Sequence, residues 1–455
     1  MPFSKAIVST HIFVPKNEID VEAYRRRYTV KSNYSNGPVI PYYKEDNYYF
    51  GIPRHAVRLT TTIAEELEDR RSMGSPADIE FNGSLWDYQL KAINEFSTLV
   101  AKGGSGFFLE AAPGSGKTVM GLRMLSLLGV TSLVIVPKSD LVKQWKDRIL
   151  KFTNVKENEI GTIEGGSGEY KDKKIVIGLV HSIIIKRIAT KEFCSYFGAV
   201  LFDECDSSLP PKTFSSASGM FPAKYRIGMT ASATRADGLH VIFEENLAQF
   251  RIKCTNTKTL EPTVILHMFK ESSGEIPSYL KDLQRRGVLI SNLASNPVRN
   301  NLIANYATRS YNSGRATLII SDRKDQLKKV ESILTKVFKI PKEDIGYFVR
   351  SLDGKNLKEA EKKHSADKCQ IILATYGMLS RGTDIPRLSC LILGTLRSDM
   401  KQVLGRIERF LEGKLSPVVI DIIDLHYPSA MRSAKARIKF YKNRNLVIKE
   451  VRPRV

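Results

Sequence analysis

Residues 106 to 118 read Gly-Phe-Phe-Leu-Glu-Ala-Ala-Pro-Gly-Ser-Gly-Lys-Thr. An apolar run from Gly106 to Glu110 leads into a Gly-rich turn that closes on Gly116-Lys117-Thr118. A strand that ends this way is a phosphate cradle. The turn exposes successive backbone N–H groups, and the next helix begins with its positive dipole end at the same spot. The turn Ala111-Ala112-Pro113-Gly114-Ser115-Gly116 would wrap the phosphates. Lys117 would reach the β- and γ-phosphates, and Thr118 would offer its hydroxyl to Mg²⁺. This octapeptide, 111–118, predicts a nucleoside triphosphatase.

Around it, apolar strands and helices alternate from Leu85 onward. Strands are expected at 106–110, 132–136, 174–178, 199–203 and 226–229, and helices at 117–128 and 139–152. Nearly all-apolar, β-branched strands alternating with helices predict a parallel sheet covered on both faces. The alternation breaks near 240–290. It resumes with strands near 317–320, 345–349, 370–374, 389–393 and 417–421, and helices near 299–312, 323–337, 356–364 and 399–410. The reading is two α/β units in tandem. Residues 1–84 precede them as a smaller stretch, with strand-like runs at Ala6-Ile7-Val8 and Tyr48–Ile52, a helix over 61–71 and a linker at Met73–Pro76.

The chain has 455 residues and a net charge of +22, which points to a polyanionic partner, most often nucleic acid. Residues 1–84 balance their charges at 11 basic and 11 acidic, so the surplus lies further along. The five cysteines are scattered without a CxxC pair, so neither a zinc site nor a disulfide framework is indicated, which fits a reducing compartment. The histidines show no metal-ligand spacing. No run approaches the roughly 18 apolar residues that a bilayer span needs. The N-terminus lacks a signal-peptide pattern, so a cytoplasmic protein is expected.

The second informative site is Ala199-Val200-Leu201-Phe202-Asp203-Glu204-Cys205-Asp206. An apolar strand delivers carboxylates at its C-terminal edge, where α/β folds bind ligands. Asp203 would hold the Mg²⁺ that bridges the phosphates, and Glu204 would orient and deprotonate the attacking water. Positive charge for the γ-phosphate is offered in the second unit by Gln402-Val403-Leu404-Gly405-Arg406-Ile407-Glu408-Arg409. On one helix, Gln402, Arg406 and Arg409 would share a face. Arg406 and Arg409 would then act as arginine fingers that make hydrolysis depend on domain closure.

Taken in order, these motifs resemble superfamily 2 helicases over about residues 85–425. Tyr88-Gln89 is similar to the adenine-reading glutamine motif. Val136-Pro137-Lys138 through Gln144-Trp145 resembles the motif Ia region of members acting on duplex DNA. Asp203 to Asp206 is the motif II box, though it reads Asp-Glu-Cys-Asp and not DEAD, DEAH or DECH. Thr230-Ala231-Ser232-Ala233-Thr234-Arg235-Ala236-Asp237-Gly238 resembles motif III with its trailing Arg-x-Asp-Gly. Ala374-Thr375 through Gly382-Thr383-Asp384 resembles motif V, and Gln402 to Arg409 resembles motif VI. Within the superfamily the chain looks like phage branch-migration helicases of the UvsW type, related to the XPB and RecG groups.

The resemblance implies two tandem RecA-like parallel-sheet domains, 85–258 and 259–455, after a small α+β accessory domain over 1–84. It implies ATP and Mg²⁺ as cofactors and duplex or branched DNA as partner, with a monomer as the simplest assembly. Gly382 and Asp384 would join the nucleotide site, and Asp206, Thr230 and Ser232 would couple hydrolysis to motion. An RNA helicase, a nucleic-acid-binding scaffold with a relic ATP site, and the motor subunit of a restriction system are the alternatives.

Three features keep two readings open. Phe250–Lys253 and Thr263–Leu266 could pair as a strand-separating hairpin, or form a sheet edge. Arg25-Arg26-Arg27-Tyr28 could contact DNA or form a solvated turn. Residues 431–455 hold nine Lys or Arg and one Glu. There Met431, Ala434, Ile438 and Tyr441 form an apolar stripe. That helix could lie along a phosphate backbone or dock on the second sheet.

Overall fold

A computed structural model describes residues 2–34, 36–57, 63–112, 114–165, 167–184, 188–205, 211–231, 235, 237–255, 260–270, 286–379, 385–397 and 400–452. The chain divides into two compact units, Met1–Thr257 and Lys258–Val455. Among the described residues no helix is long and apolar enough to cross a membrane.

The first unit is built on an eight-stranded sheet. In spatial order its strands begin at Ser167, Ile160, Ile175, Ser132, Ala199, Tyr225, Gly106 and Phe250. Neighbours pair in parallel except for the two-residue edge strand Ser167–Gly168, which runs antiparallel. Along Gly106–Ala111, Phe107 and Leu109 face one core and Phe108 faces the other. Helices Asp87–Ala101, Lys117–Leu128 and Ser139–Phe152 supply the first core with Phe96, Met120, Leu125, Trp145 and Ile149. The second core is continuous with the N-terminal region. It joins Ile12, Val14, Phe50 and Ile52 to Phe108, Ile135, Phe221 and Leu247.

Residues 1–84 therefore share one unit with the first sheet. They form a five-stranded sheet whose strands begin, in spatial order, at Lys44, Tyr49, His11, Phe3 and Ala64. The helix expected over 61–71 is a correction: residues 58–62 lie outside the described ones, and Ala64–Asp69 is a strand paired in parallel with Phe3–Val8. Ala-Glu-Glu-Leu-Glu-Asp is helix-prone, and long-range pairing overrides that local preference. Two fully buried arginines hold the region to the sheet. Arg54 donates to the carbonyls of Ala223 (2.7 Å) and Lys224 (3.1 Å), and Arg226 donates to Thr10 (2.8 Å) and Phe221 (2.7 Å). Arg25 pairs with Glu22 and Glu45, and Arg27 with Glu245, so these two members of the basic cluster are occupied by carboxylates. Within the expected linker Met73–Pro76, Gly74 is held against the first sheet: it has φ +65°, and a Cβ there would collide with the Gly198 amide nitrogen.

The second unit is a seven-stranded, all-parallel sheet with strands beginning at Ile345, Ile371, Ala316, Leu388, Val418, Thr263 and Ile448. The hairpin reading is overturned here. Phe250–Cys254 is the edge of the first sheet, beside Gly106–Ala111, while Thr263–Phe269 lies between two strands of the second. Each strand finds a parallel neighbour that buries it, which a two-stranded ribbon would not provide. The helix expected at 399–410 is shorter, Lys401–Ile407, and Arg409 lies past its C-terminal cap, Glu408.

Candidate nucleotide site

The phosphate loop is set by its glycines. Gly114 and Gly116 both sit at φ +81°, a left-handed conformation that L side chains rarely adopt. Gly116 also caps helix Lys117–Leu128, so the helix starts directly at Lys117. Ser115 folds inward and donates its Oγ–H to the Ala112 carbonyl (2.7 Å). Lys117 donates from Nζ to the carbonyls of Ala111 (3.0 Å) and Ala112 (3.3 Å), at the mouth of the loop. Thr118 is partly exposed in the helix's first turn, and Pro113 lies outside the described residues.

Helix Asp87–Ala101 braces this loop. Gln89 is buried, donates from Nε2 to the Ser115 carbonyl (2.8 Å) and accepts the Trp86 N–H on Oε1 (2.9 Å). Tyr88 donates its hydroxyl to the same Ser115 carbonyl (3.2 Å). A Cβ on Gly116 would collide with Gln89 Nε2, so this glycine is also required by close approach.

Strand Ala199–Phe202 carries the acidic pair. It runs in parallel between Ser132–Val136 and Tyr225–Thr230, and Asp203 follows it directly. Asp203 is buried, and its carboxylate accepts the Trp145 indole N–H on Oδ2 (2.8 Å) and the Glu204 N–H on Oδ1 (2.9 Å). Burial and the adjoining Glu204 carboxylate push its pKa up to about 6, against the opposing pull of the indole N–H and Lys117. Glu204 sits at φ +49°. That conformation is uncommon for a non-glycine residue and is typical of side chains held for function. Cys205 donates backbone N–H (3.2 Å) and Sγ–H (3.4 Å) to the Met229 carbonyl, which ties the acidic turn to the neighbouring strand. Thr230 ends that strand, fully buried and paired with Glu110 of the loop strand.

The donors suit magnesium. A buried carboxylate with a raised pKa and a hydroxyl at the helix start are hard oxygen ligands. Magnesium is usually held by one or two such groups together with substrate phosphates and water. Asp203, with Thr118, would hold the ion.

The remaining expected residues are placed unevenly. Asp206, Ser232, Gly382 and Asp384 lie outside the described residues, and so does the side chain of Gln402. In the second unit Arg406 lies in helix Lys401–Ile407 and Arg409 just beyond it, both partly buried. Lys414 secures this turn by donating to the carbonyls of Ile407 (2.7 Å) and Arg409 (2.8 Å). Arg235 makes a two-pronged ion pair with Asp237 (2.9 and 2.6 Å), which accounts for the Arg-x-Asp-Gly tail. Sequence reading missed one partner, the Trp145 indole. Its residue was recognised only within a motif, because helix periodicity says which face is buried and not which carboxylate an indole reaches.

The chain is similar to known helicases. Residues 82–235 match the family described as type III restriction enzyme, res subunit, and residues 298–411 match the helicase conserved C-terminal domain. A protein named as an ATP-dependent RNA helicase from Acanthamoeba polyphaga mimivirus is 26% identical, over 90% of this chain and 78% of that one. A protein named as a helicase from Escherichia phage T5 is 28% identical, over 74% of this chain and 71% of that one. The structure of T4 UvsW aligns over 98% of this chain and 99% of that one, at 17% identity and a TM-score of 0.40. The two family models together cover more than half of the chain, on the two units that carry the motifs. With its phosphate loop, its buried acidic strand end and its two parallel sheets, this chain belongs to the superfamily 2 helicases, enzymes that hydrolyse ATP.

Proposed function

We propose that the chain is an ATP- and Mg²⁺-dependent DNA translocase that remodels branched DNA such as forks, Holliday junctions and R-loops. One observation carries this reading. The stretch Val136–Trp145 resembles the motif Ia region of duplex-DNA helicases, and its Trp145 is hydrogen-bonded to Asp203 in the ATP site. A segment of the DNA-acting kind is thus mechanically continuous with the carboxylate that would hold the metal.

In this reading the loop 111–116 cradles the phosphates, and Lys117 neutralises the β- and γ-oxygens. Thr118 and Asp203 hold Mg²⁺, and Glu204 activates water. Tyr88 and Gln89 read adenine. Gly382, Asp384, Gln402, Arg406 and Arg409 serve ATP binding and hydrolysis, and Asp206, Thr230 and Ser232 couple hydrolysis to motion. DNA contacts are mainly to phosphates, which makes binding salt-sensitive and sequence-tolerant. The protein works as a cytoplasmic monomer, with residues 1–84 as an accessory domain beside motor domains 85–258 and 259–455. Action on RNA is the second reading, favoured by the name of the mimivirus relative.

The test compares ATPase and unwinding on single strands, blunt duplex, forks, four-way junctions, R-loops and RNA duplexes. Forks and junctions are expected to stimulate ATPase at least about tenfold more than RNA duplex. Equal or greater stimulation by RNA duplex sinks the DNA reading. Lys117→Ala is expected to abolish stimulation in either case.

A further inference from the structure

The charge of this protein is unevenly distributed. Met1–Thr257 carries 33 Lys or Arg against 28 Asp or Glu, and Lys258–Val455 carries 37 against 20. The second unit therefore holds most of the surplus, and the last 25 residues, with nine cations and one Glu, hold nearly half of that.

Much of this charge lies on helix Pro428–Asn443. Its inward face is buried: Ala430, Ala434, Arg437 and Tyr441 pack on the second unit, with Met431 and Ile438 partly covered beside them. So the docked arrangement holds for that face. Its rotation is fixed by a buried clamp. Arg437 donates to both oxygens of Asp421 (2.8 Å each) and to the Arg397 carbonyl (2.9 Å), and Tyr441 donates to Asp421 Oδ2 (3.0 Å).

The outward face is different. Arg432, Lys435, Lys439 and Lys442 are all exposed. Their spacing of three, four and three residues places them within an arc of roughly 80°, at 3.6 residues per turn, opposite the buried side. Arg437 and the capping Arg444 each hold a carboxylate, Asp421 and Glu408. Among the described residues no carboxylate pairs with any of the four. A solvated surface helix normally interleaves both signs, with acidic partners three or four residues away. This helix has no acidic residue at all.

We propose that this face of Pro428–Asn443 is a nucleic-acid contact outside the helicase motifs, in which Arg432, Lys435, Lys439 and Lys442 track the phosphates of one strand of duplex DNA. It rests on the DNA reading above. The row is about 15 Å long at 1.5 Å per residue. That length spans about four phosphate steps of one strand at about 3.4 Å each along the duplex axis. Because the Arg437–Asp421 clamp fixes which face points outward, little ordering cost remains for the helix on binding. Lysine and arginine tips at these positions recognise backbone charge and carry no base information. The face thus adds grip without adding sequence preference.

The experiment uses the full chain, wild type and a quadruple variant, Arg432→Gln, Lys435→Gln, Lys439→Gln and Lys442→Gln. Glutamine keeps helix propensity. A charge-matched control carries Lys329→Gln, Lys336→Gln, Lys339→Gln and Lys342→Gln, exposed residues elsewhere in the same unit. Binding of a fluorescein-labelled 30-bp duplex is followed by anisotropy against KCl concentration. Loss of four phosphate contacts is expected to flatten the slope of log affinity against log salt by about 3 to 4. Affinity at 0.1 M salt is expected to fall at least about tenfold, while ATPase at saturating DNA stays within about twofold. The control is expected to lose less than one slope unit. A quadruple variant that binds like wild type overturns the contact, and leaves the DNA reading standing. A control that loses as much overturns it too, because net charge alone would then explain the effect. A wild type that binds no duplex overturns the DNA reading itself, and the contact with it.

Discussion

Asp203 binds its proton more tightly in the folded chain than in an unfolded one. Its pKa is about 6 where the ordinary value is 3.8, chiefly through burial. The folded state therefore holds more protons between about pH 4 and 6, and stability is lost as pH rises through that window. The ceiling is about 3 kcal/mol, from roughly two units at 1.36 kcal/mol each. Asp203→Asn removes this penalty. In urea titrations without nucleotide, the variant is expected to gain on wild type as pH rises from 4 to 7, while its ATPase disappears. A difference that does not change with pH counts against a carboxylate whose pKa is raised by burial. Trp145 bears on the same atom. Trp145→Phe keeps an aromatic ring, though a smaller one, and deletes the N–H that Asp203 accepts. A hydrogen bond to a charged group contributes about 1.5–3 kcal/mol. Its loss disfavours the ionised form, so protons compete better with Mg²⁺. The Mg²⁺ concentration for half-maximal ATPase is expected to rise on the order of tenfold at pH 6.5 and to recover toward wild type at pH 8.5. Equal defects at both values would assign the indole to packing alone.

At the scale of elements, a buried ion pair ties the terminal helix to the second sheet. Asp421, on strand Val418–Asp424, holds Arg437 and Tyr441 of the terminal helix, and all three side chains are buried. Removing one partner of such a group leaves an uncompensated charge, at about 3–5 kcal/mol. Asp421→Ala is expected to lower the stability of the second unit by that amount in urea unfolding, and a loss under about 1 kcal/mol would show the clamp to be slack. The same elements show what a sequence discloses. The strand–turn–helix around Lys117 was legible because its signal is local: an apolar run, glycines for left-handed backbone, then an amphipathic helix. The parallel strands 132–136 and 199–202 were legible because strands buried on both faces read as unbroken apolar runs. Ala64–Asp69 was not, because its run of Ala, Glu and Leu helix formers says helix, and the deciding partner, Phe3–Val8, lies some 60 residues away. Thr263–Phe269 likewise needed strands at 418 and 448 to reveal its sheet. Around the acidic turn, the carboxylates were readable by type and spacing. The indole that orients one of them depends on how a neighbouring helix docks.

At the scale of the whole molecule, the relation of residues 1–84 to the motor becomes testable. In an α/β unit built on a parallel sheet, each face of the sheet must be covered. Here one face is closed partly by short helices and partly by the N-terminal sheet, through a single apolar cluster that contains Ile12, Val14, Phe50 and Ile52 together with Phe221, Ile242, Phe243 and Leu247. Polar ties cross the same boundary. Arg226 donates to the Thr10 carbonyl (2.8 Å), Tyr42 donates to Glu245 (3.0 Å), and the Asn33 N–H donates to the Asp237 carbonyl (2.9 Å). Deleting residues 1–72 would expose several of the large apolar side chains, at about 1.5–3 kcal/mol each. It would also remove one carbonyl partner from the buried Arg226, which among the described residues is held by carbonyls alone. Four such exposures alone approach the 5–15 kcal/mol that holds an ordinary domain folded. The truncated chain, begun at Met73, is therefore expected to be recovered as aggregate or to melt more than about 10 °C below the full chain in calorimetry. That behaviour would mean an accessory region that cannot be shed without unfolding the ATP-binding unit. A truncated chain that melts with the full one and keeps its ATPase would show a detachable module resting on a sheet that is already closed.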